Sequence, residues 1–196
     1  DGSDKKNTNG LSKEYITEYS YGITESLNLL IPRFTGGGSG DMIDKEGDFF
    51  KSLQNYDSDT ARIIYQNSRL YWGNQPIVEA PAYIGISVFF LFILGFTFLS
   101  KVQKIWIISS IAFALTLSWG KNFPYLTDLF IDYFPFYDKF RAVSSIQVII
   151  EFLIPLVAAI GVYNFFEGDS KKINEKKLLT TTASFIIPLL ILYFVG

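Results

Sequence analysis

The chain of 196 residues contains no cysteine and no histidine. Without cysteine there can be no disulfide framework, and without both residues there is no Ser-His or Cys-His catalytic set and little basis for a zinc site. The formal net charge is only −2, so the sequence offers no basic surface of the kind that nucleic acid requires. Any chemistry must therefore depend on carboxylates, lysine, arginine, tyrosine and backbone groups.

Charged residues are also scarce in the second part of the chain, which contains long apolar stretches at 84–99, 105–119, 142–166 and 178–195. A bilayer core about 30 Å thick is crossed by roughly 20 apolar residues of helix. A core helix of a soluble protein would carry polar residues at every third or fourth position, a spacing that these stretches lack. The sequence thus predicts an all-α membrane protein with four transmembrane helices within 82–196.

Residues 1–81 are polar by contrast, and they predict a mostly irregular, partly helical segment. Lysine and arginine in short loops mark the cytoplasmic side of a membrane protein. The loop at 101–104 holds two lysines and that at 167–177 holds four. Residues 1–81 and the loop 120–141 are therefore predicted to face outward from the bacterial cytoplasmic (inner) membrane. The missing initiator Met and signal peptide lead us to expect a piece of a longer multi-pass protein.

Residues 35–40 are the most glycine-rich segment and carry a Thr and a Ser among four glycines. Successive glycine N–H groups can bind phosphate. This segment lacks the Gly-Lys-Ser/Thr ending of a nucleotide-binding loop. We expect a flexible surface loop.

The loop 120–141 predicts a membrane-surface site. After Pro124, apolar residues recur at helical spacing, which predicts an amphipathic helix in the headgroup region. Lys139 and Arg141 follow, beside the start of the third apolar stretch. Together with Lys121 they are predicted to bind a lipid phosphate. Ordinary lipid headgroups are an equally good partner for the same cations.

Glu151 is the one ionisable residue inside the third apolar stretch. A carboxylate at such a depth costs at least about 2.5 kcal/mol unless it faces a partner or a polar cavity. One interpretation is that Glu151 lines a polar, substrate-binding cleft. The other is that it makes a structural hydrogen bond to a neighbouring helix.

Several motifs occur in one order along nearly the whole chain, at 11–15, 20–22, 30–32, 36–39, 71–76, 117–124 and 137–144. In this set and order they resemble the YfhO-like family of large bacterial membrane proteins. The resemblance implies a glycosyltransferase of the C-type membrane fold, which transfers sugar from a polyprenyl-phosphate donor on the outer side of the membrane. It also implies that the catalytic acid lies in a first outer loop outside these residues, so no catalytic residue is predicted in this chain.

On this interpretation Glu25, Trp72 and Asp138 line the same cleft as Glu151. The expected partners are membrane lipids, the polyprenyl-phosphate sugar and other membrane proteins. No cofactor or metal site is predicted, although a divalent metal stays open. The alternative is a non-catalytic membrane scaffold, or a subunit of an envelope assembly, that keeps the fold without the chemistry. A transporter is a third and weaker interpretation.

Overall fold

The computed structural model describes residues 10–44, 46–79 and 81–167, together with 179, 180, 182, 183, 186 and 187. The chain divides into two compact units. Unit 1 comprises residues 1–83 and 117–144, and unit 2 comprises 84–116 and 145–196. The polar segment that precedes the first apolar stretch and the loop 120–141 therefore both belong to unit 1.

The described residues are mostly helical. The α-helices, in chain order, are α1 Lys13–Ile16, α2 Asp48–Leu53, α3 Ser58–Asn67, α4 Ile86–Phe98, α5 Lys101–Ser118, α6 Pro124–Tyr133 and α7 Val148–Glu167. Within the same residues, 3-10 helices lie at Thr24–Leu29, Gly120–Asn122, Tyr137–Lys139 and Val143–Gln147. One isolated β-bridge joins Met42 to Arg69. The helix predicted after Pro124 is confirmed as α6, which has proline in its first turn, where no intrahelical N–H bond is lost.

The prediction of four transmembrane helices is wrong. Within the described ranges, a single helix, Val143–Glu167, is long and apolar enough to cross a membrane. It contains α7 and coincides with the third predicted stretch. The fourth stretch, 178–195, lies outside the described residues except for the few positions given above. Over the described residues, the architecture is thus mostly helical, with one membrane-capable helix and one shorter apolar helix.

The first two apolar stretches do not form membrane-spanning helices, and the reasons are local. Helix α4 has 13 residues, about 20 Å of helix, because Leu99 adopts an extended conformation and ends it. Ser100 and Gln103 then form a capping box: the Ser100 N–H donates to Gln103 Oε1 at 2.9 Å, and the Gln103 N–H to Ser100 Oγ at 3.4 Å. Helix α5 has 18 residues, but Lys101 and Lys104 lie in its first turn and lower its mean hydropathy.

Helices α4 and α7 pack against each other through two glycines. A Cβ atom at Gly161 would lie only 2.5 Å from the Cα atom of Gly95, so the two backbones are in direct contact. Leu153 and Val157 of α7 are buried in the same cluster as Leu99. Small residues at a helix crossing allow this close approach, and the gain is dispersion contact along both helices.

The glycine-rich segment of unit 1 is packed rather than free. The Ser39 N–H donates to the Val78 carbonyl at 2.6 Å, and the Val78 N–H returns a bond to Ser39 Oγ at 2.9 Å. The Gly38 N–H donates to Asp41 Oδ2 at 2.9 Å. A side chain at Gly36, where φ is +86°, would collide with the Leu70 carbonyl. These N–H groups are already engaged, so the segment serves packing and is not a phosphate loop.

Candidate functional site

A buried carboxylate, that of Glu25, is the centre of a polar cluster in unit 1. Glu25 is 2% exposed. Its Oε2 accepts the N–H groups of Gly22 at 2.9 Å and of Asn74 at 3.2 Å. Its Oε1 accepts the Tyr71 hydroxyl and, at 3.4 Å, the amide of Gln75. A carboxylate can be buried only when hydrogen bonds replace its water, and four donors do so here.

The Tyr71 hydroxyl is held as a donor to this carboxylate. Burial raises the pKa of Tyr71 well above its ordinary value, and the hydrogen bond to Glu25 raises it further. The Gln75 N–H donates to the same hydroxyl oxygen at 2.9 Å. The phenol therefore stays protonated at physiological pH and links the carboxylate to the backbone of the 71–76 segment.

Gly73 is required by this arrangement. A Cβ atom there would lie 2.5 Å from Glu25 Oε1 and still closer to the Tyr71 hydroxyl oxygen. We expect Gly73→Ala to destabilise unit 1 by about 2 kcal/mol, because the added methyl displaces a buried hydrogen-bonded pair. Gly40→Ala is the matched control, since a Cβ at Gly40 meets nothing within 4 Å. Thermal unfolding of the intact chain measures the difference, and equal melting temperatures for both variants would refute the packing.

A third segment, 118–122, joins the cluster through residues 20–26. Hydrogen bonds connect the two segments at four places. They are the Tyr21 N–H to Ser118 O at 2.9 Å, the Lys121 N–H to Ser20 Oγ at 3.0 Å, Asn122 Nδ2 to Tyr21 O at 2.7 Å, and Trp119 Nε1 to Ser26 Oγ at 2.8 Å. Segments that are far apart in sequence, 20–26, 71–75 and 118–122, thus form one hydrogen-bonded unit.

The accessible edge of this cluster carries three polar side chains. Asn74 Nδ2 lies 3.4 Å from Asn122 Oδ1, across the 71–75 and 118–122 segments. Lys121 and Asn74 are exposed, and Asn122 is half-buried. Two amides and an ammonium offer both donors and acceptors together with one positive charge. We call Asn74, Lys121 and Asn122 the polar edge. This combination suits a hydroxylated ligand that bears a negative charge.

Asn74 and Asn122 were missed by reasoning from sequence, which treated their motifs only as carriers of a resemblance. A signal was available. Residues 72–76 and 119–124 share one pattern: Trp-Gly, then Asn, one further residue and Pro. The second copy differs in having one extra residue, Lys121, between the Gly and the Asn. Two copies of such a pattern at turns predict similar local geometry. They do not reveal that the two asparagines meet.

Arg141, a predicted phosphate ligand, is held by groups of unit 1. Its guanidinium donates to Glu18 Oε2 at 2.6 Å and to the Tyr15 hydroxyl at 3.1 Å. It also lies 4.5 Å from the centre of the Tyr15 ring and 4.9 Å from that of Tyr19. The hydrogen bond with Glu18 raises the pKa of Arg141 above its ordinary value. These contacts tie the segment before the third apolar stretch to α1 and its flank.

Lys139 also has a carboxylate partner, since its ammonium lies 3.3 Å from Asp138 Oδ2. The backbone carbonyl of Asp138 accepts the Leu11 N–H at 2.9 Å, so Asp138 helps to hold the first described residues. Among the predicted phosphate ligands, Lys121 alone has no ion pair with another described residue. The structure thus distinguishes three cations that the sequence treats alike.

The remaining predicted cleft residues are dispersed. Trp72 is 65% exposed and lies beside Phe34, with 6.2 Å between ring centres. Glu25 is enclosed, as described above. Glu151 belongs to unit 2, on the exposed side of α7, whereas the other predicted site residues belong to unit 1. The structure brings Glu25 together with the residues that flank Trp72, and it brings Asp138 together with Lys139.

Among the described residues, no group of three or more Asp, Glu, His or Cys side chains is placed to hold a metal ion. The polar edge therefore offers hydrogen bonds and one positive charge for recognition.

No family model matches the chain, and no curated protein or solved structure matches it.

Proposed function

We propose that the chain is part of a YfhO-like, glycosyltransferase-type membrane protein, and that unit 1 binds the headgroup of a polyprenyl-phosphate-linked sugar on the outer side of the bacterial cytoplasmic membrane. One observation carries the proposal. The motifs at 20–22, 71–76 and 117–124, which carry the family resemblance, meet around Glu25 and bring the polar edge together. Motifs that converge on one surface indicate a shared task at that surface.

The chemistry of the polar edge fits a sugar phosphate. The Lys121 ammonium is a point charge that can pair with a phosphate oxygen. The exposed Asn74 amide carries a carbonyl oxygen and an NH₂ group, which match the acceptor and donor pattern of sugar hydroxyls. The Asn122 amide already donates to the Tyr21 carbonyl and accepts from Asn74 Nδ2, so a sugar hydroxyl would share its oxygen. The chain supplies no catalytic acid in this proposal, so its contribution is to bind and orient the donor.

The polar edge is also preorganised. The backbone N–H of Asn74 is fixed by Glu25, and that of Lys121 is fixed by Ser20 Oγ. The backbones of Asn74 and Lys121 are therefore each fixed by a buried side chain and do not lie in a free loop. Preorganisation lowers the entropy that binding must offset.

Arg141 and Lys139 are weaker candidates for phosphate binding than Lys121. Each already has a carboxylate partner, so phosphate binding there would require the phosphate to replace Glu18 or Asp138. The same pairing favours the alternative function, a non-catalytic membrane scaffold in which the 137–141 segment is structural. We therefore expect Lys121 to contribute more to phosphate binding than either of the other two cations.

The experiment measures the affinity of the full chain, reconstituted in lipid nanodiscs, for a C55 polyprenyl phosphate and for the same lipid bearing a hexose. Lys121→Ala is expected to weaken both affinities about 10-fold or more, since a charge-assisted bond contributes about 1.5–3 kcal/mol. Asn74→Ala should weaken only the affinity for the hexose-bearing lipid.

The matched control is Arg62→Ala, which removes an exposed cation from α3 in the same unit. It should leave both affinities unchanged. Equal affinities in the wild type, Lys121→Ala and Asn74→Ala would defeat the polar edge as a headgroup site. A wild-type protein that binds neither lipid would favour the scaffold.

A further inference from the structure

Large apolar and aromatic side chains point outward from residues 124–140 of unit 1. Tyr125 and Tyr133 are each 82% exposed, and Phe136 is 73% exposed. Leu129 lies on the same face of α6, one turn from each tyrosine, and Phe134 and Phe140 are exposed nearby in sequence. We call these residues the aromatic surface: Tyr125, Leu129, Tyr133, Phe134, Phe136 and Phe140. A surface with so many exposed rings over a short segment marks an interaction site.

The backbone at Phe136 supports this conclusion. Its φ is +66°, in the left-handed region that costs free energy for a bulky residue. Strain of this kind is usually offset by packing of the side chain, yet the Phe136 ring is mostly exposed to solvent. Packing of the Phe136 side chain within the described residues therefore contributes little to offset this cost. A partner that takes up the ring would offset it.

The charges around the surface decide the class of partner. Lys13 pairs with Asp128 at 2.6 Å, and, as described above, Lys139 and Arg141 have carboxylate partners. The remaining acid of α6, Asp132, is exposed at the edge of the aromatic face. A strongly anionic partner thus gains no net attraction, and a cationic one meets a single exposed carboxylate. Rings of Tyr and Phe beside paired charges are typical of the membrane–water interface.

The position in the chain points to the same partner. Phe140 precedes by three residues the start of Val143–Glu167, the helix that is long and apolar enough to cross a membrane. Three residues of chain reach at most about 10 Å, so in a bilayer that this helix crosses Phe140 would lie close to the headgroup region at its first residue.

We propose that the aromatic surface is seated in the headgroup region of the bilayer, where its rings insert between lipids and hold the polar edge of unit 1 near the donor lipid. The inference rests on the membrane location that is part of the proposed function. Seating depends on apolar and aromatic area rather than on charge, so it should be insensitive to salt and to the fraction of anionic lipid.

The absence of native cysteine makes the test direct. Single cysteines replace Tyr133, Phe136, Ile63 or Phe152 in the full chain, and each carries a nitroxide label in phosphatidylcholine–phosphatidylglycerol liposomes. Collision rates with oxygen and with an aqueous nickel chelate report the depth of each label. Ile63 is the matched control, an exposed apolar residue of α3 in unit 1, and Phe152 reports insertion of α7.

The expected result is that labels at Tyr133 and Phe136 collide with oxygen several-fold more than with the nickel chelate, at a depth shallower than Phe152, while Ile63 remains aqueous. Labels at Tyr133 and Phe136 that are as aqueous as Ile63, with Phe152 inserted, would overturn the seating and leave the membrane location intact. A Phe152 label that is also aqueous would overturn the membrane location itself. Spin–spin broadening between labels at Tyr133 would show that a second copy covers the surface, and would also overturn the proposal.

A second variant separates seating from folding. Phe136→Gly relieves the strained φ and removes few contacts within the chain. We expect its melting temperature to equal or exceed that of the wild type, while a label at Tyr133 becomes several-fold more accessible to the nickel chelate. An unchanged depth at Tyr133 in this variant would show that the Phe136 ring does not contribute to seating.

Discussion

Replacement of Glu25 by glutamine should unfold unit 1 at a markedly lower temperature, by about 10 °C or more. Each hydrogen-bond partner that the carboxylate has among the described residues is a donor: two backbone N–H groups, the Tyr71 hydroxyl and the Gln75 amide. Glutamine has the same shape but places its own NH₂ group against two of these donors. Two buried N–H or O–H groups then lose their acceptor, at about 1–3 kcal/mol each.

Thermal unfolding of the intact chain followed by tyrosine and tryptophan absorption measures this effect. Glu14→Gln is the matched control, because Glu14 is an exposed carboxylate of α1 in the same unit. It should change the free energy of unfolding by less than about 0.5 kcal/mol, so its melting temperature should stay close to that of the wild type. A Glu25→Gln protein that melts with the wild type would mean that the carboxylate is not the organising centre of unit 1.

Replacement of Gly161 by leucine should separate α4 from α7 and destabilise unit 2 by about 3 kcal/mol. A Cβ at this position lies 2.5 Å from the Cα of Gly95, and what it meets is backbone, which cannot rotate away. The helices must move apart by a side-chain diameter, and the contacts of Leu153 and Val157 are lost with the close approach.

Ala159→Leu is the matched control on the same helix, because Ala159 is exposed. It should leave the melting temperature close to that of the wild type. Circular dichroism of the intact chain in mild detergent measures both variants. Equal destabilisation by the two substitutions would indicate that added bulk anywhere on α7 is harmful and that the glycine contact has no special role.

The sequence predicted the features that depend on neighbouring residues. Pro124 and the apolar spacing behind it predicted α6, and the apolar run after Ala142, interrupted by Glu151 alone, predicted the membrane-capable helix. The first two apolar stretches form α4 and α5, but α4 has only 13 residues and α5 includes two lysines in its first turn, so neither qualifies as a membrane span. Ser100 and Gln103 form a capping box that starts α5, so Lys101 and Lys104, which were predicted to lie in a loop, belong to the first turn of that helix.

The polar cluster could not be predicted, since it depends on pairing between distant residues. Glu25 and Tyr71 are 46 residues apart, and neither lies in a segment with a period that identifies a partner. Arg141 illustrates the same limit. Its position before an apolar stretch predicted a phosphate ligand, and nothing local in the sequence indicated its contacts with Glu18 and two tyrosine rings. Whether a cation is available for a ligand depends on tertiary contacts that the sequence does not indicate.

The central claim is that a lipid-linked phosphate binds at the polar edge. It is tested most directly by photo-crosslinking the full chain, in lipid nanodiscs, to a C55 polyprenyl phosphate that carries a diazirine next to the phosphate, followed by mass-spectrometric mapping of the adduct. The account predicts adducts within residues 71–76 and 117–124, at or beside Asn74 and Lys121, and loss of these adducts in Lys121→Ala. Adducts confined to 137–141 or to α3, and unaffected by Lys121→Ala, would contradict it.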